Sequence, residues 1–549
     1  MEINASMGTA GNEVADNEAV NREAVIRDNL APATQQMGQD PAAAVQMTVV
    51  DGMKKGPKIT KETQKLREGF RFFGPATAAY ALFYAFCMYK NAAGITFPFF
   101  VASSLCYFYY TLKKLELTLK KDSAFFGVSV MLLAIATFCT ADERIIALNK
   151  TGIFLLMISF LLARFYNTEK WGLGKYAGSI FVLLITALEE LDKPIRDMAG
   201  FAKKEHSPKA KKGIYIFLGL LFTLPLLILV VGLLSSADLV FRNMTTRLLA
   251  GVNFSTGVGF GFKMVLWYFG TYMLVSNLCR KAIGEEIKDR RSGEPVMAIT
   301  LTSVLSVVYL IFSVIQILYL FLGKMQLPEG YTYAEYAREG FFQLLAVAIL
   351  NLIIVLACLA FFRESKVLKA ILTVMSLCTF IMIASSAMRM IIYVKSYNLT
   401  FLRIFVLWAL AVLFFLFSGV VIQIFQPRFP LFRYGMTVVT VLYIGLAFSH
   451  PDAMIAKYNL ENGASIDYHY LAELSVDAAP VLIPYLKDAG YDLSETKDSL
   501  KEKGKSVYAG QENGFGYYYL QRNEIQDLKN KMGIRNFNLS WYRAIKALE

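Results

Sequence analysis

Apolar positions in this chain come in long unbroken runs, without the alternation of surface strands or the heptads of coiled coils. A membrane-spanning helix needs roughly 17–25 mostly apolar residues. The stretches 72–89, 94–112, 123–140, 145–165, 213–235, 259–279, 297–323, 340–362, 370–394, 403–425 and 434–449 have that character, which predicts about eleven spans within 72–449. The run 174–191 has a short apolar centre and closes with "EELDKP". Arg164 and Lys170 precede it and Lys203, Lys204, Lys209, Lys211 and Lys212 follow it, so it is expected to be interfacial or re-entrant. The expected fold class is all-α: a polytopic transmembrane helical bundle with a small, mainly helical C-terminal domain.

The flanks differ from the core. Residues 1–50 are polar and nearly free of aromatics, which predicts a disordered tail. Residues 51–71 form a basic juxtamembrane segment with Lys54, Lys55, Lys58, Lys61, Lys65, Arg67 and Arg71. No apolar h-region follows Met1, so the first run is expected to act as an uncleaved anchor with a cytoplasmic N-terminus. Residues 450–549 are polar again, with helical patterns near 452–460, 466–488, 495–503 and 521–532, and "GFGYYYL" as a candidate short strand.

Composition supports the membrane reading. Hydrophobic residues make up 56% and charged residues only 18%, against about 25% in soluble domains; mean hydropathy is +0.44. The net charge of +13 would suit nucleic acid, but the basic residues sit in short clusters between apolar runs, as in cytoplasmic loops. No nucleic-acid partner is expected. Downstream of 213 the proposed inner loops hold ten basic residues and the outer loops six. With the N-terminus inside, eleven spans put residues 450–549 on the extracytoplasmic side of a plasma membrane.

The segment "YTYAEYAREGFFQLLAVAIL" (331–350) begins polar and ends apolar. Thr332 and Glu335 have capping-box spacing, so a helix is expected to start above the membrane and enter it near Gly340. Asn351 then lies roughly 16 Å deeper, near the bilayer centre. With Gln343 loosely on its face, it reads either as a helix–helix hydrogen bond of about 0.6 kcal/mol or as a polar lining. Ser385, Arg389 and Tyr393 share a stripe on the next helix. Arg389 is expected either to snorkel or to pair with Glu335, Glu339 or Asp238. Asp238, Arg338, Lys263, Arg403, His450, Asp452 and Asn459 also fall near predicted outer helix ends. Polar helix ends are ordinary; the sharper reading is a site at the outer face touching the C-terminal domain.

Catalytic and cofactor motifs are missing from the sequence. "GVGFGF" follows no strand and is no phosphate loop, and there is no Walker motif, HExxH, GxSxG or kinase set. Asp452 and Asp467 read as surface or capping carboxylates rather than an acid/base pair. The six cysteines lie in or beside apolar runs without a CxxC, and there are only three histidines, so no metal and no cofactor are expected.

The blocks "LPLLILVVGLLSSADLVF", "YAEYAREGFFQLLAVAIL", "IASSAMRMIIYVKSYNLTFLRIFVLW", "HPDAMIAKYNL", "DYHYLAELSVDAAPVL" and "NFNLSWYRA" resemble, in this order, a bacterial multi-pass membrane family catalogued as a domain of unknown function, the 4153/4173 group. The resemblance runs from about residue 70 to the C-terminus. It implies membrane placement and a bacterial origin but no activity. Relatives usually have Pro where this chain has Leu239 and often Gly where it has Asn398; some carry a zinc-ribbon-like N-terminal segment, for which this chain has no cysteines. The expected role is a non-enzymatic envelope sensor, regulator or scaffold that binds an envelope protein through 450–549. The alternatives are a small-solute transporter, against which no inverted repeat is evident, and an enzyme acting on lipid or cell-wall precursors at the outer face, with Asp238, Glu335, Arg338 and His450 as first candidates.

Overall fold

Each long apolar run satisfies its backbone within itself, as a chain in lipid must. The computed structural model describes residues 60–120, 122–204, 233–248, 254–285, 291–318, 333–462, 466–491 and 512–549, with isolated positions at 223, 230 and 231. The chain divides into Met1–Ile59 and Thr60–Glu549, and all that follows concerns the second unit. The expected disordered tail, 1–50, lies outside the described residues.

The helices are α1 (Lys61–Glu68), α2 (Phe70–Met88), α3 (Thr96–Lys114), α4 (Ser123–Cys139), α5 (Glu143–Phe165), α6 (Leu173–Ala187), α7 (Lys193–Lys204), α8 (Leu239–Leu248), α9 (Phe254–Arg280), α10 (Pro295–Gln316), α11 (Tyr333–Phe361), α12 (Lys366–Tyr397), α13 (Phe401–Phe425) and α14 (Leu431–Phe448). Beyond these lie α15 (Pro451–Asn462), α16 (Tyr468–Ala472), α17 (Ala479–Asp488), α18 (Glu512–Arg522), α19 (Leu528–Lys531) and α20 (Leu539–Leu548). Strands are absent among the described residues. Helices α5, α10, α12, α13, α14 and the Gly340–Phe361 part of α11 are long and apolar enough to cross a bilayer. The chain is an all-α, multi-pass membrane protein. Ten of the eleven expected stretches coincide with helices; the other, 213–235, lies largely outside the described residues.

The long helices run back and forth between two ends. At the open end, ion pairs join successive turns: Lys65 to Glu116, Arg433 to Asp122 at 3.4 Å, Lys281 to Glu62 at 2.8 Å and Arg291 to Glu364 at 3.2 Å. Helix α6 touches this end twice. Its first turn stacks Tyr176 on Phe432 at 4.4 Å, and beyond its last turn Glu190 accepts from Ser276 on α9 at 2.7 Å. Helix α7 is fixed there too, where Asp197 accepts from Tyr272 at 2.9 Å and pairs with Arg67. Burial pushes the Asp197 carboxyl above its ordinary range.

The opposite end is covered by the described residues of 451–549, here called the cap. Its secondary structure differs from expectation in three places. "GFGYYYL" lies in α18 rather than in a strand, because Phe515 and Tyr519, four apart, bury one helical face. The 466–488 pattern is not one helix. It breaks after α16, passes through a short 3₁₀ turn at Val476–Ala478, and restarts as α17 with Pro480 in its first turn. The 521–532 pattern is interrupted by Glu524, whose φ of 48° is left-handed. The expected helix at 495–503 lies outside the described residues. One apolar core crosses from bundle to cap: Phe341, Val394, Leu399 and Val406 cluster with Ile455, Leu482, Phe515 and Ile545.

Candidate functional site

The polar groups of the capped end form a joint. Asp142 begins it as the N-cap of α5, taking the Arg144 amide at 2.9 Å. The same carboxylate receives Arg144 Nε and Nη2 as a fork, both at 2.9 Å. Arg144 Nη2 also reaches Asp452 Oδ1 on α15 at 2.6 Å, and the other Asp452 oxygen accepts the Ser475 amide at 2.8 Å. The guanidinium lies 4.0 Å from the Phe401 ring centre, at the start of α13. Asp452 is fully buried and Asp142 nearly so, whereas the Arg144 side chain is 44% exposed. Burial, then the neighbouring Asp142, push the Asp452 carboxyl up, and Arg144 offsets this only in part.

Asp477 is the second centre. It takes the Ala141 amide at 2.7 Å, the Ser540 hydroxyl at 2.5 Å, the Thr140 hydroxyl, and His450 Nδ1 at 3.4 Å. Burial alone would raise its pKa. The hydrogen bonds from His450, Ser540, Thr140 and Ala141 outweigh that and hold the carboxyl below its ordinary range. A nucleophilic triad needs a histidine between acid and hydroxyl; here the acid stands between His450 and Ser540. The arrangement holds segments together and activates no nucleophile.

Two asparagines complete the joint. Asn538 caps α20 and donates to the carbonyls of Ala93 and Thr140, each at 3.0 Å. Asn459 exchanges hydrogen bonds with Leu399 at 2.7 and 2.9 Å. Tyr470 accepts the Phe401 amide at 2.9 Å, and Arg535 donates to Phe86 O at 2.8 Å. The cap is thus bonded to the α2–α3, α4–α5 and α12–α13 turns.

The predicted polar residues separate. His450 and Asp452 enter this joint. Asp238 is exposed and caps α8 by accepting the Phe241 amide at 2.7 Å. Arg403 donates to the Tyr397 and Asn398 carbonyls at the end of α12 and lies 4.3 Å from the Tyr393 ring centre. Asn351 is buried and donates to Thr379 at 2.9 Å, and Ser385 donates to Gln316 at 2.6 Å, so both tie neighbouring helices together. Gln343 does not share the Asn351 face; it is exposed on the flank of α11. Arg389 is only 6% exposed and lies against Gly340, where a side chain would collide with its guanidinium, so it is packed inside protein. The backbone of Glu335, Arg338 and Glu339 is helical, but their side chains lie outside the described residues. No cluster of three metal-ligating side chains occurs among the described residues.

The model of a family described as a domain of unknown function, DUF4153, matches residues 127–485. The chain belongs to the DUF4153 family. The DUF4153 match starts within α4 and ends in α17, so it contains Asp142, Arg144, Asp452, Asn459 and Asp477 but stops short of Asn538 and Ser540. No curated protein and no solved structure matches the chain.

Sequence reading missed Asp142, Arg144, Asp477, Asn538 and Ser540 as partners. "TADER" at a predicted outer helix end carried a signal: a helix N-cap followed by an arginine, with the acid of "HPDAM" at another predicted outer end.

Proposed function

We propose that this DUF4153 chain is a bacterial plasma-membrane sensor, regulator or scaffold. Its N-terminus is cytoplasmic, and its cap lies on the extracytoplasmic side and binds an envelope protein. The observation that carries this reading is the joint itself: a partner held by the cap would pull on three turns, and through them on six spans. Loop charge supports the sidedness. Among the described residues the open-end loops hold Lys113, Lys114, Lys120, Arg164, Lys170, Arg280, Lys281, Arg291, Arg363, Lys366, Lys369, Arg428 and Arg433, about twice as many as the Lys90, Arg144, Lys150, Lys263, Lys395 and Arg403 of the capped end outside the cap, and such residues favour the cytoplasm. Both ends of α6 touch the open end, which supports an interfacial or re-entrant course for it. Residues 72–449 then act as the membrane domain and 450–549 as the outer one. Against a transporter, Asn351 and Ser385 are each bonded to the next helix.

Photo-crosslinkers at Tyr542 and Lys529, both exposed on the cap, test this in cells. The expected result is one identifiable envelope-protein adduct that is lost in Asp452→Ala. No adduct from the cap, together with altered solute uptake in Asn351→Leu, would favour the transporter instead.

A further inference from the structure

Where α11, α12 and α13 meet near the capped end, a cavity of about 180 Å³ opens. Phe341, Met390 and Val406 form its floor from three different helices, while Phe342 and Leu402 at its edge are 55% and 60% exposed. Its level is fixed by the sequence. Gly340 opens the apolar run of α11, and Thr400, also on its wall, precedes the first turn of α13. The cavity therefore sits at the edge of the hydrocarbon zone, on the flank of the bundle. An apolar cavity of about 150 Å³ stays dry and takes a benzene-sized guest; this one has room for several methylene groups.

Arg403 gives the cavity a charged rim. Its Nη1 is committed to the carbonyls of Tyr397 and Asn398, and its guanidinium lies over Tyr393. Nε and Nη2, the two donors that suit a phosphate fork, have no protein acceptor among the described residues. Among the described residues no acidic side chain lines the cavity. We propose that this is a binding site for one anionic phospholipid, with a stretch of acyl chain in the cavity and the phosphate on Arg403. The lipid would lie directly beside the α12–α13 turn that Asn459 and Tyr470 tie to the cap.

Native mass spectrometry on the full chain, after exchange into mixed phosphatidylglycerol and phosphatidylethanolamine micelles, reads this out. One phosphatidylglycerol should be retained per chain, about fivefold over phosphatidylethanolamine, the preference expected of a single interfacial arginine. Arg403→Gln should abolish the preference, and Arg403→Lys, which keeps the charge but loses the fork, should retain part of it. A role confined to capping α12 would lose the preference in both alike. Leu402→Trp, at the exposed rim, should block retention without disturbing the core. Equal retention of the two lipids, unchanged retention in Arg403→Gln, or stabilisation by inorganic phosphate as large as that by the lipid would overturn the proposal.

Discussion

Asp452 and Arg144, separated by 308 positions in sequence, meet at 2.6 Å and tie the first turn of the cap to the first turn of α5. Asp452 is wholly buried, so its charge depends on that partner. Removing one member of such a pair leaves an uncompensated charge, and replacing both by apolar residues often costs little.

Arg144→Ala should therefore destabilise the protein by about 2–4 kcal/mol, below the range for fully buried pairs because Arg144 is 44% exposed. The double variant Arg144→Met with Asp452→Leu should recover much of that loss. Thermal unfolding in detergent measures both. Equal losses in the single and double variants would show that a stranded, uncompensated Asp452 charge is not what the single variant suffers.

Gly94 lies under the cap loop. A Cβ there would meet the Arg535 carbonyl and stand 2.8 Å from Asn536 Cα, both backbone atoms that cannot swing away. Gly94→Ala should loosen the cap locally by about 1–3 kcal/mol. Hydrogen exchange should rise at residues 535–541 and stay unchanged at the open end.

Asn398 ends α12 at φ 68° and ψ 170°, a region populated almost only by glycine. Asn398→Gly should raise the melting temperature, by relief of about 1 kcal/mol of strain. Asn398→Ala should lower it. A lower melting temperature for the glycine variant would mean that the Asn398 side chain contributes more than its backbone costs.

Asp477 sets an acid limit. Its folded pKa is depressed, so the stability it adds is fully present above the unfolded value of about 3.9 and is lost as pH falls through the folded pKa. The gap in melting temperature between wild type and Asp477→Asn should not shrink between pH 8 and 5. It should close below about pH 4. A gap already closing at pH 6 would contradict the assignment.

The membrane architecture was legible because each span is a continuous apolar run about long enough to cross the bilayer, whereas a soluble helix of that length would be apolar on one face only. The cap was less so. In Phe515 and Tyr519 a short aromatic run suited a strand or a helix, and only burial on one face decides it. The polar face was half legible. His450 and Asp452 stood out because they follow a long apolar run. Their partner Arg144 lies 308 positions from Asp452, and Ser475 and Asp477 lie 23 and 27 positions beyond Asp452 and His450, across a helix and a loop, so no periodicity links them. Gln343 and Asn351, eight apart on one helix, looked loosely like one face; at 3.6 residues per turn they stand roughly 80° apart, and the first is exposed and the second buried.

The sidedness of the cap underlies the whole functional account, and one labelling experiment reads it directly. A single cysteine at Asn530, exposed on the cap, is placed in a chain otherwise free of cysteine, and intact cells are treated with a membrane-impermeant thiol reagent. Labelling before lysis is the predicted result and puts the Asp452–Arg144 joint on the envelope side. Labelling only after lysis would contradict the account, place the cap in the cytoplasm, and redirect the search to cytoplasmic partners.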